Sequence, residues 1–224
     1  MKFVVKSLFG VTFFALFLMA CKNTPKAEEQ TAVTTADTTT VATVPATPVG
    51  TAYTISKGTI NWTGAKPTGK HTGTIAANSG IVYMDKGHFS GGDVAIDMNS
   101  LAVTDLKDKK KADLEGHLKA GDFFETDKFP TAAFKITNCT AIEGNPKATH
   151  EVTGNLTLKG ITKEVKFPVM VTVADKKLTA KSEEFTINRT DWGVKYASGI
   201  IGTAKDKLID DNVKLMLELE AMAN

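Results

Sequence analysis

The sequence predicts a mainly β fold, an antiparallel meander of about eight strands that packs face to face or closes into a barrel. Three observations carry this expectation. Apolar and polar residues alternate with period two over most of the chain after Tyr53, as in sheets with one buried face. Short turn signals separate the alternating runs: "GNP" at 144–146, "LKGITK" at 158–163 and "ADKK" at 174–177. Only one stretch breaks the alternation, and it reads as a helix.

Taken in order, "TINWTG" directs Ile60 and Trp62 to one face, and "TIAANSGIVY" does the same for Ile75, Ala77, Ile81 and Tyr83. "DVAIDMNS" aligns Val94, Ile96 and Met98. In "DLKDKKKADLEGHLKAG", Asp105 is the expected N-cap and Gly121 the stop, with Leu114 and Leu118 on one side and His117 near them. Phe123 and Phe124 follow, adjacent aromatics that cannot both hide on one strand face. "AAFKITN" buries Phe134 and Ile136 and places Cys139 on the opposite parity. "VKFPVMVTV" aligns Val165, Phe167, Val169, Val171 and Val173, while Pro168 points to an edge or a bulge. "VKLMLELEA" repeats the plan with Val213, Leu215, Leu217, Leu219 and Ala221. In "EEFTINRTDWGV" the parity of Phe185 and Ile187 includes Arg189, a charge that is costly to bury alone.

The N-terminal segment has a different character. Lys2 and Lys6 precede fourteen uncharged residues, "SLFGVTFFALFLMA", too short for a membrane span and ordered like a secretory signal. It ends in "LMAC", which resembles a bacterial lipobox; the resemblance makes residues 1–20 a lipoprotein signal peptide and Cys21 the lipidated first residue of the mature chain. Lys22 beside it resembles outer-membrane sorting signals, which implies anchoring at the outer membrane, on the periplasmic side or the cell surface. With Cys21 lipidated, Cys139 has no partner for a disulfide, because the chain has 2 cysteines. Residues 22–50 contain nine Thr, five Ala and three Pro but no aromatic, Leu or Ile. Such a stretch does not bury enough apolar surface to offset its ordering entropy, so residues 21–50 read as lipidated Cys plus tether, spanning about 30 Å as a flexible coil. Residues 51–224 form the folded domain.

Several function classes lack their residues. A net charge of +2 gives no basic face for nucleic acid. The chain has no G-x-S-x-G, H-E-x-x-H, C-x-x-C, P-loop or G-x-G-x-x-G motif. His71, His88, His117 and His150 are scattered. Neither metal nor cofactor is expected, and no catalytic residue is assigned.

Five ordered motifs resemble the YceI-like family of polyisoprenoid- or lipid-binding-like proteins. They are "GKHTG" at 69–73, "GGDVAIDMNSL" at 91–101, "LEGHLKAGDFFETDKFPTAAF" at 114–134, "VTGNLTLKGITKEVKFPV" at 152–169 and "FTINRTDWGV" at 185–194. The resemblance covers Tyr53 to Met222. It implies a lipocalin-like antiparallel barrel with a helix beside its opening and an elongated apolar interior holding a long-chain lipid of the isoprenoid, quinone or fatty amide type. The expected partners are therefore an apolar lipid and the membrane that holds the N-terminal anchor.

On that frame the inward parity set supplies the walls of a lipid pocket: Trp62, Ile75, Ile96, Phe134, Ile136, Phe167, Val169, Val171, Phe185, Ile187, Leu215 and Leu217. Phe123, Phe124 and Trp192 either line the mouth or pack the helix onto the barrel. Arg189 has two readings: a plug paired with a carboxylate such as Asp191 or Asp97 and with main-chain carbonyls, or a fork of donors for a lipid head group. His71 has the same two readings. The expected function is non-enzymatic binding, storage or transport of a long apolar lipid at the bacterial envelope. The alternative is an anchored scaffold with a filled barrel and no ligand.

Overall fold

The computed structural model describes residues 47–205 and 208–224. The signal segment, Cys21 and the tether as far as residue 46 lie outside the described residues. The strands are β1 (Thr51–Lys66), β2 (Gly69–Asp85), β3 (His88–Val103), β4 (Thr131–Ala141), β5 (His150–Leu158), β6 (Ile161–Ala174), β7 (Lys177–Ser182), β8 (Phe185–Asn188) and β9 (Asn212–Ala223), with one helix, α1 (Asp108–Lys119), between β3 and β4. Each strand from β1 to β6 pairs antiparallel with the next, and β9 closes the ring against β1, with Ile60 opposite Leu217 and Trp62 opposite Leu215.

β7 and β8 both pair with β9, one after the other. They are pieces of one wall interrupted at Glu183 and Glu184, so nine strands fill eight positions around an antiparallel barrel. At the interruption the buried Ser182 hydroxyl accepts a hydrogen bond from Leu217 N at 2.8 Å, replacing a lost ladder bond. Pro168 sits beside the same break, and its carbonyl accepts from Glu183 N. The one ladder bond that the ring nitrogen cannot donate thus falls where β7 has already ended at Ser182.

The turns are local consequences of sequence. Lys86–Gly87, Lys159–Gly160 and Asp175–Lys176 each place two residues at positive φ, the two-residue hairpin geometry whose twist matches that of the flanking strands. α1 starts later than its pattern suggests. Lys107 occupies the N-cap with no side-chain hydrogen bond. Asp105 is not the cap, because its carboxylate is committed to β2: it accepts from Thr72 N at 2.9 Å and pairs with His71 Nδ1 at 2.8 Å.

Bulges correct two expectations of parity. Register shifts between Ala76 and Ser79 against β3 reverse the faces of β2. Val82 and Met84 are buried, whereas Ile81 is 37% exposed and Tyr83 only half-buried. A shift between Ile136 and Asn138 does the same in β4, and Cys139 turns towards the core. Burial raises its thiol pKa, which disfavours the reactive thiolate.

The two ends of the barrel differ. The β1–β2 turn, α1, the β5–β6 hairpin and residues 189–205 and 208–211 gather at one end. The other end has the β2–β3, β4–β5 and β6–β7 connections and the entering chain. There Ser90 Oγ donates to Val49 O, so the last residues of the expected tether lie along β3. That end is solid, filled by Val82, Met84, Phe89, Ile136, Val152, Val169 and Leu178.

Candidate functional site

At the α1 end the barrel is hollow. The lower wall of the space is aromatic: Phe167 stacks on Phe185 with centroids 4.4 Å apart, and Phe134 meets Phe167 at 5.5 Å. Gly154 lets Phe134 lie there, because a Cβ on it would fall 2.4 Å from Phe134 Cζ. Above these rings β1, β2 and β9 contribute Trp62, Ile75, Leu215 and Leu217, and α1 leans in with Leu114 and Leu118. The result is a cavity of about 350 Å³, within the size range of small-molecule pockets.

Eleven of the fifteen predicted wall residues line this cavity: Trp62, Ile75, Ile96, Phe123, Phe124, Phe134, Phe167, Phe185, Ile187, Leu215 and Leu217. The other four do not. Ile136 and Val169 are buried in the solid half, and Val171 packs against it. They share the inward face of Phe134 and Phe167, but parity fixes the face of a strand and not the height along it. Trp192 is 2% exposed and donates from its indole N–H to Leu156 O at 3.0 Å, a core position rather than the mouth.

The structure adds walls beyond the expected pocket set: Met98, Val165, Leu114 and Leu118, which the pattern aligned, and Leu101, Leu156 and Leu158, which it did not. The leucines of α1 were legible from their i,i+4 spacing. Leu156 and Leu158 continue the alternation from Val152, but Gly154 interrupts the apolar series and hides the signal.

Polar groups gather at the mouth, and most are already engaged. Arg189 leaves the strand pattern: it opens a 3-10 turn, Arg189–Trp192, and is 2% exposed. Its guanidinium donates to Val194 O at 2.8 Å, Ile209 O at 3.1 Å and Asp210 O at 3.1 Å, and pairs with Asp211 Oδ1 at 3.0 Å. The partner is thus Asp211, neither Asp191 nor Asp97. Burial lowers the arginine pKa, while Asp211 and Asp210 pull it back up. Asp211 also accepts from the fully buried Ser198 hydroxyl at 2.8 Å, so one carboxylate ties Arg189 and Ser198 to the start of β9. His71 is half-buried on its Asp105 partner. Burial acts to raise the Asp105 pKa, but the hydrogen bonds from Thr72 and His71 outweigh it and hold the carboxyl below its ordinary range. His117 pairs with Asp122 at 3.0 Å and meets Tyr196 edge-on at 4.7 Å.

The arrangement provides an apolar slot with an engaged polar collar. The comparisons agree with its architecture. The sequence model of the YceI-like domain matches residues 53–221. A UPF0312 protein of Vibrio vulnificus strain YJ016 is 30% identical over 141 residues, covering 58% of this chain and 66% of its own length. One from Pseudomonas aeruginosa strain LESB58 is 32% identical over 138 residues, covering 62% of this chain and 61% of its own. The chain therefore spans less than two thirds of these relatives. Among solved structures, BcnA of Burkholderia cenocepacia matches with a TM-score of 0.57 at 24% identity over 74% of this chain and 96% of that one. A polyisoprenoid binding domain from Saccharophagus degradans matches with a TM-score of 0.53 at 15% identity over 78% and 99%. At these identities the structural matches speak for the fold. With the family model spanning the barrel from β1 to β9, the chain belongs to the YceI-like domain family.

Proposed function

We propose that this protein binds one long-chain apolar lipid, tail first, and stores or carries it at the bacterial envelope without chemical turnover. The observation that carries this reading is the hollow α1 half of an otherwise packed barrel, walled by aromatic and aliphatic side chains. Each methylene moved from water into such a space contributes roughly 0.8 kcal/mol, so a chain binds with few polar contacts. The named ligand class of the Saccharophagus degradans domain points the same way. Catalysis is disfavoured by the prior engagement of the mouth groups, with Arg189 on three carbonyls and Asp211 and the histidines on their aspartates.

The envelope setting rests on sequence: the "LMAC" segment with Cys21 as anchor and the Thr-rich tether. Ile200 and Ile201 stand 64% and 59% exposed on the segment beside the mouth, which suits exchange with a lipid source. The test is displacement of a fluorescent fatty probe by a homologous series of alkyl lipids. Affinity should rise about fourfold per methylene until the cavity is filled. Equal affinity for short and long chains would sink the carrier reading and leave an anchored β-scaffold.

A further inference from the structure

Among the described residues, one buried side-chain polar atom lacks a hydrogen-bond partner, the indole Nε1 of Trp62. Trp62 lines the cavity and is 9% exposed. Its setting is apolar: Leu101 and Val103 are buried beside it, and Leu114, Leu118, Phe124 and Leu215 pack against that cluster. A buried donor without an acceptor costs about 1–3 kcal/mol. Trp192, the other indole, meets the rule by donating to Leu156 O.

The Trp62 ring is held in place by the sheet. Gly73 lies opposite it across the β1–β2 ladder. A Cβ at Gly73 would fall 2.4 Å from Trp62 Cζ2 and 2.5 Å from Cε2, so the absent side chain is what lets the indole lie over β2. Its cover is looser. α1 has no fully buried residue, and Leu114 and Leu118 are half-buried. On the α1 side the cover of the indole cluster is thus two half-buried leucine side chains rather than sheet. Trp62 stands four residues inward from Lys66 at the strand end, about 13 Å along the strand.

We propose that Trp62 Nε1–H is a ligand-binding donor that takes an uncharged carbonyl oxygen of the lipid, such as an ester oxygen, about 13 Å inside the rim. This assignment rests on the lipid-binding reading above and narrows it. The tail lies towards Phe134, Phe167 and Phe185, the carbonyl sits at Trp62, and any charged head stays out by Lys66. A plain hydrocarbon leaves the donor orphaned and binds less tightly.

The experiment compares methyl palmitate with hexadecane on the wild-type protein and on Trp62→Phe, by displacement of a fluorescent fatty probe. The indole N–H proton resonances are followed in parallel. The wild type should prefer the ester, Trp62→Phe should lose about tenfold of that preference, and the Trp62 resonance should move downfield with the ester alone. An unchanged preference in a folded Trp62→Phe, with both ligands bound, overturns the assignment. Should the variant fail to fold, the wild-type resonance decides: an ester that binds without moving it also overturns the assignment. Binding of neither ligand to the wild type overturns the lipid-binding reading itself, and the assignment with it.

Discussion

Arg189 resolves a conflict that is visible in the sequence, a guanidinium on the apolar parity of a strand. The strand stops one residue earlier, and the side chain is absorbed by three carbonyls and Asp211 in the rim. Removing one partner of such a pair strands the other charge, at a cost of about 3–5 kcal/mol. Arg189→Ala is therefore expected to melt roughly 10 °C or more below the wild type, with lipid affinity preserved in whatever fraction stays folded. An unchanged melting curve with lost binding would instead make Arg189 a head-group ligand.

At the packed end, His150 hydrogen-bonds Thr149 Oγ1 at 2.8 Å and His88 Nδ1 at 3.2 Å. Burial, and then the neighbouring His88, lower its pKa. The unfolded chain therefore binds the proton more readily than the native state. Stability from this residue is complete above about pH 6.5, the unperturbed value, and declines as pH falls towards the lower native value. Thermal melts over that window should show a slope that flattens in His150→Asn; a slope indifferent to the substitution would place its origin elsewhere.

The elements carry their instructions unevenly. Six alternating runs, the hairpin residues and the helix are legible because they depend on period and on local φ. The bulges in β2 and β4 are not, since each depends on how two strands share a register, and a shift of one residue turns Ile81 out and Val82 in. Gly154 is the instructive residue. In sequence it looks like a gap in an apolar series, yet the space it leaves is filled by Phe134 from the next strand. In Gly154→Ala the new Cβ would meet Phe134 Cζ at 2.4 Å and Lys135 O at 2.6 Å. A loss of about 1–3 kcal/mol in denaturant unfolding is expected, together with weaker lipid displacement as the ring is driven into the cavity. A variant normal in both measurements would show that the ring has somewhere else to go.

The described domain is a barrel divided along its axis, solid where the chain enters and hollow under α1. By itself the sequence determined the faces of the strands without bulges, the tight hairpins, and the helix with Leu114 and Leu118 on one side, because each of these follows from spacing between neighbours in the chain. Only the tertiary structure decided that Phe134 and Phe167 face a space while Ile136 and Val169, two residues further on, face a packed core. It also decided that Asp211 rather than Asp191 neutralises Arg189, and that the Trp62 indole has no acceptor. Height along a barrel, the partner of a charge and the emptiness beside a ring depend on residues that different elements bring together, Arg189 and Asp211 being 22 positions apart, and no local period records them.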